Sequence, residues 1–157
     1  MVDLDILQIN LARMIKLSER LRDAKVALQN NMPLNVAMFN PDSKDSGFLL
    51  QLDGFRVRFA DLQDILGQVI FPMVCQYDED ETTQYPLSTR ERIVLMEKKG
   101  LISTEKWKLL REIRNRFMHE YPDEHEEKAL LLNQAWEYSD VLILMATNIR
   151  NYLQNIR

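Results

Sequence analysis

The sequence predicts an all-α protein, an antiparallel bundle of about four to five helices built as one domain over residues 1–157. Apolar residues recur every three or four positions through most of the chain, and the 4 Gly and 5 Pro fall mostly between those stretches. The content of 46% apolar and 28% charged residues suits one globular domain that buries its own core.

The first helix is expected from about Asp3 to Asn30, where Leu7, Leu11, Met14, Leu21 and Leu28 keep helical spacing before Asn30-Asn31-Met32-Pro33 stops it. Pro33 to Ser46 reads as a long connection. A second helix carries Phe48, Leu52, Phe55, Phe59, Leu62, Leu66, Val69 and Met73 at alternating spacings of three and four, and Pro72 is expected to kink or end it. Asp78 to Thr83 reads as an acidic, solvated loop. Ser88 and Glu91 have the spacing of a capping box, and Gly100-Leu101 resembles a helix stop, so a short helix is expected over Thr89 to Lys99. The next begins near Ser103 or Thr104 and runs to about Tyr121, because Pro122 disfavours the α conformation before it. The last extends from Asp123 to the C-terminus behind a stripe of Leu131, Ala135, Tyr138, Leu142, Met145, Ile149, Tyr152 and Ile156.

Twenty Lys and Arg against 24 Asp and Glu give a net charge of -4, which excludes a uniformly basic nucleic-acid-coating surface and confines any anion site to a local patch. One cysteine, Cys75, excludes an intramolecular disulfide, a CxxC pair and a thiolate zinc cluster; a reducing compartment is the simplest setting. The first residues lack a basic stretch followed by an apolar one, and no run approaches the roughly 20 apolar residues of a membrane span, so a cytoplasmic protein with no membrane association is expected.

The segment Thr104 to Tyr121 departs from plain scaffold. It gathers Lys106, Lys108, Arg111, Arg114 and Arg116 in an otherwise acidic chain. Residues set ~100° apart place Trp107, Leu110, Ile113, Phe117 and Met118 on a broad apolar arc, with Arg114 inside it between Leu110 and Trp107. An arginine there must meet a carboxylate, or line an interface or cleft that an anion can reach. Arg111, Asn115 and His119 come next round the helix, and the i, i+4 spacing lets Asn115 orient the His119 imidazole. Guanidinium, amide and imidazole together suit phosphodiester chemistry without metal: the first grips a phosphate and its transition-state charge, the last moves a proton to or from a ribose hydroxyl. The residues alone leave another account open, in which Arg114 pairs with a carboxylate of a neighbouring helix, His119 ends the helix favoured by its dipole, and Tyr121 covers the core.

Arg114-Asn115-Arg116-Phe117-Met118-His119-Glu120-Tyr121 resembles the Arg-Asn-x-x-x-His-x-Tyr signature of HEPN-domain proteins, most closely the HepT-like toxins encoded beside minimal nucleotidyltransferases. All four specified positions match, late in a helix that precedes the final long helix. The resemblance implies a homodimer whose two Arg-x4-His motifs meet at the two-fold axis in one composite, metal-independent RNA-cleaving cleft. Arg114 would contact the scissile phosphate, His119 act as general acid or base, and Asn115 orient one of them, with Lys108, Arg111 and Arg116 binding RNA. Tyr121 matches the tyrosine to which the partner nucleotidyltransferase antitoxin adds AMP. Some relatives are instead non-catalytic substrate-binding subunits of a nucleotidyltransferase; the same layout admits that alternative. The Pro33–Ser46 and Asp78–Pro86 segments make the chain longer than a compact version of the bundle.

Other chemistry finds little support. His119 and His125 are six apart across a proline and make no ligand pair, so no metal and no cofactor is expected; Asp123 to Glu127 read as an acidic first turn. Cys75 reads as core, Ser88 and Ser103 as caps, and no phosphate-binding glycine loop is present.

Overall fold

In the computed structural model, which describes residues 2–39 and 46–154, the chain forms α1 (Leu4–Leu28), α2 (Ser46–Ile65), α3 (Phe71–Tyr77), α4 (Thr89–Lys98), α5 (Thr104–Met118) and α6 (His125–Gln154). No strand occurs among the described residues. Short 3-10 turns cover Gln29–Asn31 and Val36–Phe39, and a π-helical segment, Leu66–Ile70, joins α2 to α3.

Cross-helix bonds fix the directions. Asn10 meets Met73 at one end of α1, and Arg20 shares a groove with Asp61 further along, so α1 runs antiparallel to α2 and α3. Leu7 lies beside Leu153, and Lys25 pairs with Asp140 at 2.6 Å, so α1 is also antiparallel to α6. Arg114 bonds Asp64 while the Phe117 carbonyl bonds Arg56, which sets α5 antiparallel to α2. Four long rods thus surround one core, and α4 packs across α3 and α5.

The predicted stripes supply that core. Met14, Leu21, Phe55, Phe59, Leu62, Leu66, Leu110, Phe117, Leu142 and Ile149 are sealed from solvent. Each such side chain contributes roughly 1.5–3 kcal/mol of burial. Phe59 and Phe117 meet edge to face at 5.6 Å, and Phe71 tilts against Trp107 at 4.7 Å. Local signals set several ends, those of α4 as expected. Asp3 caps α1, Ser88 and Glu91 form the capping box, and Gly100 at φ 76° closes α4 with a Leu101 N–H bond to the Met96 carbonyl.

Three expectations need correction, and a fourth is filled in. Pro72, expected to kink or end its helix, does not end it: it sits in the first turn of α3, directly after a π-helical distortion, and the rod continues to Tyr77. The wider turn removes the bond that a proline would otherwise break. The Asp78–Thr83 loop is not simply solvated. Glu81 is buried and grips Arg92 through two 2.8 Å bonds, Lys99 bridges Asp78 and Asp80 at 2.8 Å, and the Tyr152 hydroxyl donates to Asp78. The start of the Pro33–Ser46 connection is anchored, since Asn133 accepts from the Leu34 N–H and donates to the Leu34 carbonyl; residues 40–45 lie outside the described residues, as does Ile156. Finally, α5 stops at Met118, so Tyr121 lies beyond it and α6 starts at His125. No helix of the described residues is long and apolar enough to cross a membrane.

Candidate functional site

Ser103 starts α5 by accepting the Lys106 N–H, and the stripe Trp107, Leu110, Ile113 and Phe117 seats it in the core. That packing fixes the azimuth of every polar residue between. Arg114 reaches α2, where Nε meets Asp64 Oδ1 at 2.8 Å and Nη2 meets Oδ2 at 2.9 Å. Its Nη1 faces Asn115 Oδ1 at 3.4 Å. A guanidinium carries five N–H donors. Three are engaged here, and two remain for another acceptor. Both partners stay partly exposed, Arg114 at 20% and Asp64 at 30% of their side chains, so the pair stands at the edge of solvent.

Arg114 lines a cleft of about 360 Å³ between α2, α4 and α5, together with Asn115, Arg111 and Arg92. Asn115 also lines a shallower groove with Glu112, Arg116, His119 and Glu120. The motif therefore lines two clefts that share Asn115, and within the chain Arg114 and His119 do not line the same one. His119 is exposed and caps α5, its backbone N–H bonded to the Asn115 carbonyl at 2.9 Å. Of the expected RNA-binding residues, Lys108 and Arg111 are exposed, Arg111 beside Arg114; Arg116 stands apart from them in the groove of His119. Met118, placed on the apolar arc by spacing, is 50% exposed, because it falls at the edge of the stripe next to Arg111.

Tyr121 is half-buried against Phe117, edge to face at 6.1 Å. The Arg56 guanidinium covers its ring at 4.0 Å and the Lys128 ammonium approaches to 5.2 Å. Burial raises the Tyr121 hydroxyl above the usual tyrosine range, which outweighs the opposing pull of Arg56. Arg56 also donates to the Phe117 carbonyl at 3.0 Å, satisfying the end of α5, while its Nε is buried without a partner among the described residues.

Sequence reasoning missed part of the cationic surface. Arg13, Lys16 and Arg20, at i, i+3 and i+7 on α1, line a groove of about 440 Å³ against Asp61, Asp64 and Gln68 of the α2 rod. None of the three forms an ion pair among the described residues. Asp64 and Gln68 line both this groove and the Arg114 cleft, so the two adjoin across the α2 rod. The spacing of the three cations was readable, but it equally describes an ordinary solvated face. Cys75 is fully buried, as expected of a core residue; burial first, then Glu81 and Asp80, pushes its thiol up to about 11. Among the described residues no group of three or more His, Cys, Asp and Glu is placed to hold a metal ion.

Compared with known proteins, the chain matches no family model, and no curated protein or solved structure is similar to it at a significant level.

Proposed function

We propose that the chain is a HEPN-like bundle that cleaves RNA without metal or cofactor, acting in the cytoplasm as a homodimeric toxin held in check by a minimal nucleotidyltransferase that modifies Tyr121. The supporting observation is the setting of the motif: Arg114 and His119 line two open clefts that share Asn115, with Arg111 and Arg116, which form no ion pair among the described residues, beside them. Their ~140° separation round α5 keeps them off a single phosphate within one copy. A two-fold axis beside α5 brings each arginine toward the other copy's histidine, and the half-exposed Met118 supplies an apolar anchor there.

In that arrangement one His119 takes the proton of a ribose 2′-hydroxyl as its oxygen attacks phosphorus. The second protonates the departing 5′-oxygen as the P–O5′ bond breaks, leaving a 2′,3′-cyclic phosphate and a 5′-hydroxyl. Arg114, with two donors to spare, binds the extra negative charge of the pentavalent state, and Lys108, Arg111 and Arg116 hold the strand. RNA cleavage in EDTA by wild type, Arg114→Ala and His119→Ala, with light scattering alongside, tests this. The expected result is a dimer whose cleavage drops at least ~100-fold in each variant. Cleavage that survives both substitutions, or a monomer at every concentration, overturns it.

The Asp64 carboxylate in the Arg114 fork favours a second reading, a non-catalytic helical subunit that binds a nucleotidyltransferase. Wild type that leaves tRNA and mRNA intact, with Tyr121 unmodified by mass spectrometry, would select it.

A further inference from the structure

We propose that the groove between α1 and the α2 rod is a second anion site, a track for the phosphodiester backbone of single-stranded nucleic acid that works apart from the two motif clefts. The observation behind it is positive charge that the fold does not use. Arg13, Lys16 and Arg20 stand exposed along one face of α1 and line a groove of about 440 Å³, and none of them forms a hydrogen bond or an ion pair among the described residues. Two carboxylates, Asp61 and Asp64, line the same groove. Both are answered from elsewhere: Asp64 gives its two oxygens to Arg114, and Arg58 stands 3.9 Å from Asp61. The three α1 cations are therefore left over. At spacings of three and four residues they also repel one another along the helix, which destabilises the free protein. A polyanion lying in the groove relieves that repulsion, and a chain of net charge -4 has no general attraction for one elsewhere.

The shape of the site selects the backbone of a strand. The cations form a row that rises about 10 Å along α1, which suits a chain of phosphates better than a single one. Between them the floor is Leu17, Ile65 and Val69, and among the described residues no aromatic ring lines the groove, so it offers bases no platform to stack on. Contacts confined to phosphates position a strand without reading its sequence. Asp64 and Gln68 also line the Arg114 cleft, so the row adjoins the candidate cleavage site across the α2 rod. A strand with one phosphate at Arg114 needs only to cross that rod, about 10 Å wide, to reach the row. The identity of the ligand rests on the RNA reading above; the leftover charge does not.

The test measures binding of end-labelled oligothymidylate, about 12 nucleotides long, to the full chain by fluorescence anisotropy. This probe keeps the backbone phosphates but has no 2′-hydroxyl, so the proposed cleavage cannot consume it. Arg13→Gln, Lys16→Gln and Arg20→Gln should each weaken binding at least about threefold and together at least about tenfold, with a Tm unchanged or higher. Arg22→Gln, on the same helix but outside the groove, should change binding less than about twofold. Oligodeoxycytidylate of the same length should bind within about threefold of oligothymidylate. Binding that ignores the combined substitution, or a loss as large in Arg22→Gln as in the groove variants, overturns the track. So does displacement of the probe by polyglutamate at equal charge, which would assign the groove to an acidic protein surface. RNA cleavage assayed in parallel separates the two ideas: no cleavage with the groove variants still weakening binding removes the nuclease and keeps the track, and cleavage with binding indifferent to them does the reverse.

Discussion

Asp64 on α2 holds Arg114 on α5 by two nearly parallel bonds of 2.8 and 2.9 Å, so the arginine of the motif is aimed before any ligand arrives. The same contact sets a negative charge beside the proposed anion site. Aim and affinity are therefore opposed. Asp64→Asn keeps the shape, weakens the fork and removes the charge. Steady-state cleavage by this variant should show kcat about tenfold lower with KM unchanged or lower, the mark of an interaction that matters in the transition state. An unaltered kcat would mean that Arg114 is oriented by something else.

The α1 stripe should carry RNA affinity without chemistry. Replacing Arg13, Lys16 and Arg20 together by Ala removes three cations that form no ion pair among the described residues and span about 10 Å along the helix. On the His119→Ala background, where cleavage is expected to be lost, single-stranded RNA should bind at least about tenfold more weakly, with a salt slope shallower by about 2, near 0.7 for each lost phosphate contact. Binding and slope equal to those of the parent would remove α1 from the RNA path.

Glu81 makes the heaviest demand on the loop between α3 and α4. Its side chain is 1% exposed and Arg92 supplies both of its bonds. Arg92→Ala strands that carboxylate and should lower stability by about 3 kcal/mol in urea unfolding, whereas removing both partners should cost less than the single change. A double variant weaker than Arg92→Ala would contradict the pairing.

Alkaline stability should report on the same corner. The buried thiol of Cys75 is raised from its ordinary 9.0 to about 11. Above pH 9 the unfolded chain releases this proton while the folded one keeps it, so stability falls as pH climbs from 9 to 11. Burial alone would lower the Lys99 ammonium, but its bonds to Asp78 and Asp80 outweigh this and raise it. That contribution is complete below the ordinary lysine value of about 10.4 and is lost above it. In Cys75→Ala the Tm at neutral pH drops, yet its decline with alkali should begin about one pH unit later than in wild type. Parallel curves for the two proteins would deny the thiol this role.

Local chemistry explains what the sequence made legible. A serine with a glutamate three residues on, and a glycine before a leucine, fixed both ends of α4 because their bonds close within a few residues. The partners of Asp78, Asp80 and Glu81 are Tyr152, Lys99 and Arg92, and nothing in an acidic run says that such distant groups will close on it. Arg114 was readable as an arginine in need of a partner, but several carboxylates could have answered and only the packing of α2 on α5 selects Asp64.

The five-residue π turn at Leu66–Ile70 acts as a phase setter for the whole α2–α3 rod. Removing one residue from it would shorten the rod by only about 1.5 Å, but would swing everything beyond by about 100°. Phe71 would leave Trp107 and Asp78 would leave Tyr152, while Arg56 and Asp64 upstream kept their places. The wall of the cleft and the far corner of the bundle are thus timed by a single inserted residue, and an indel there would uncouple them where an indel in the 78–87 loop would not.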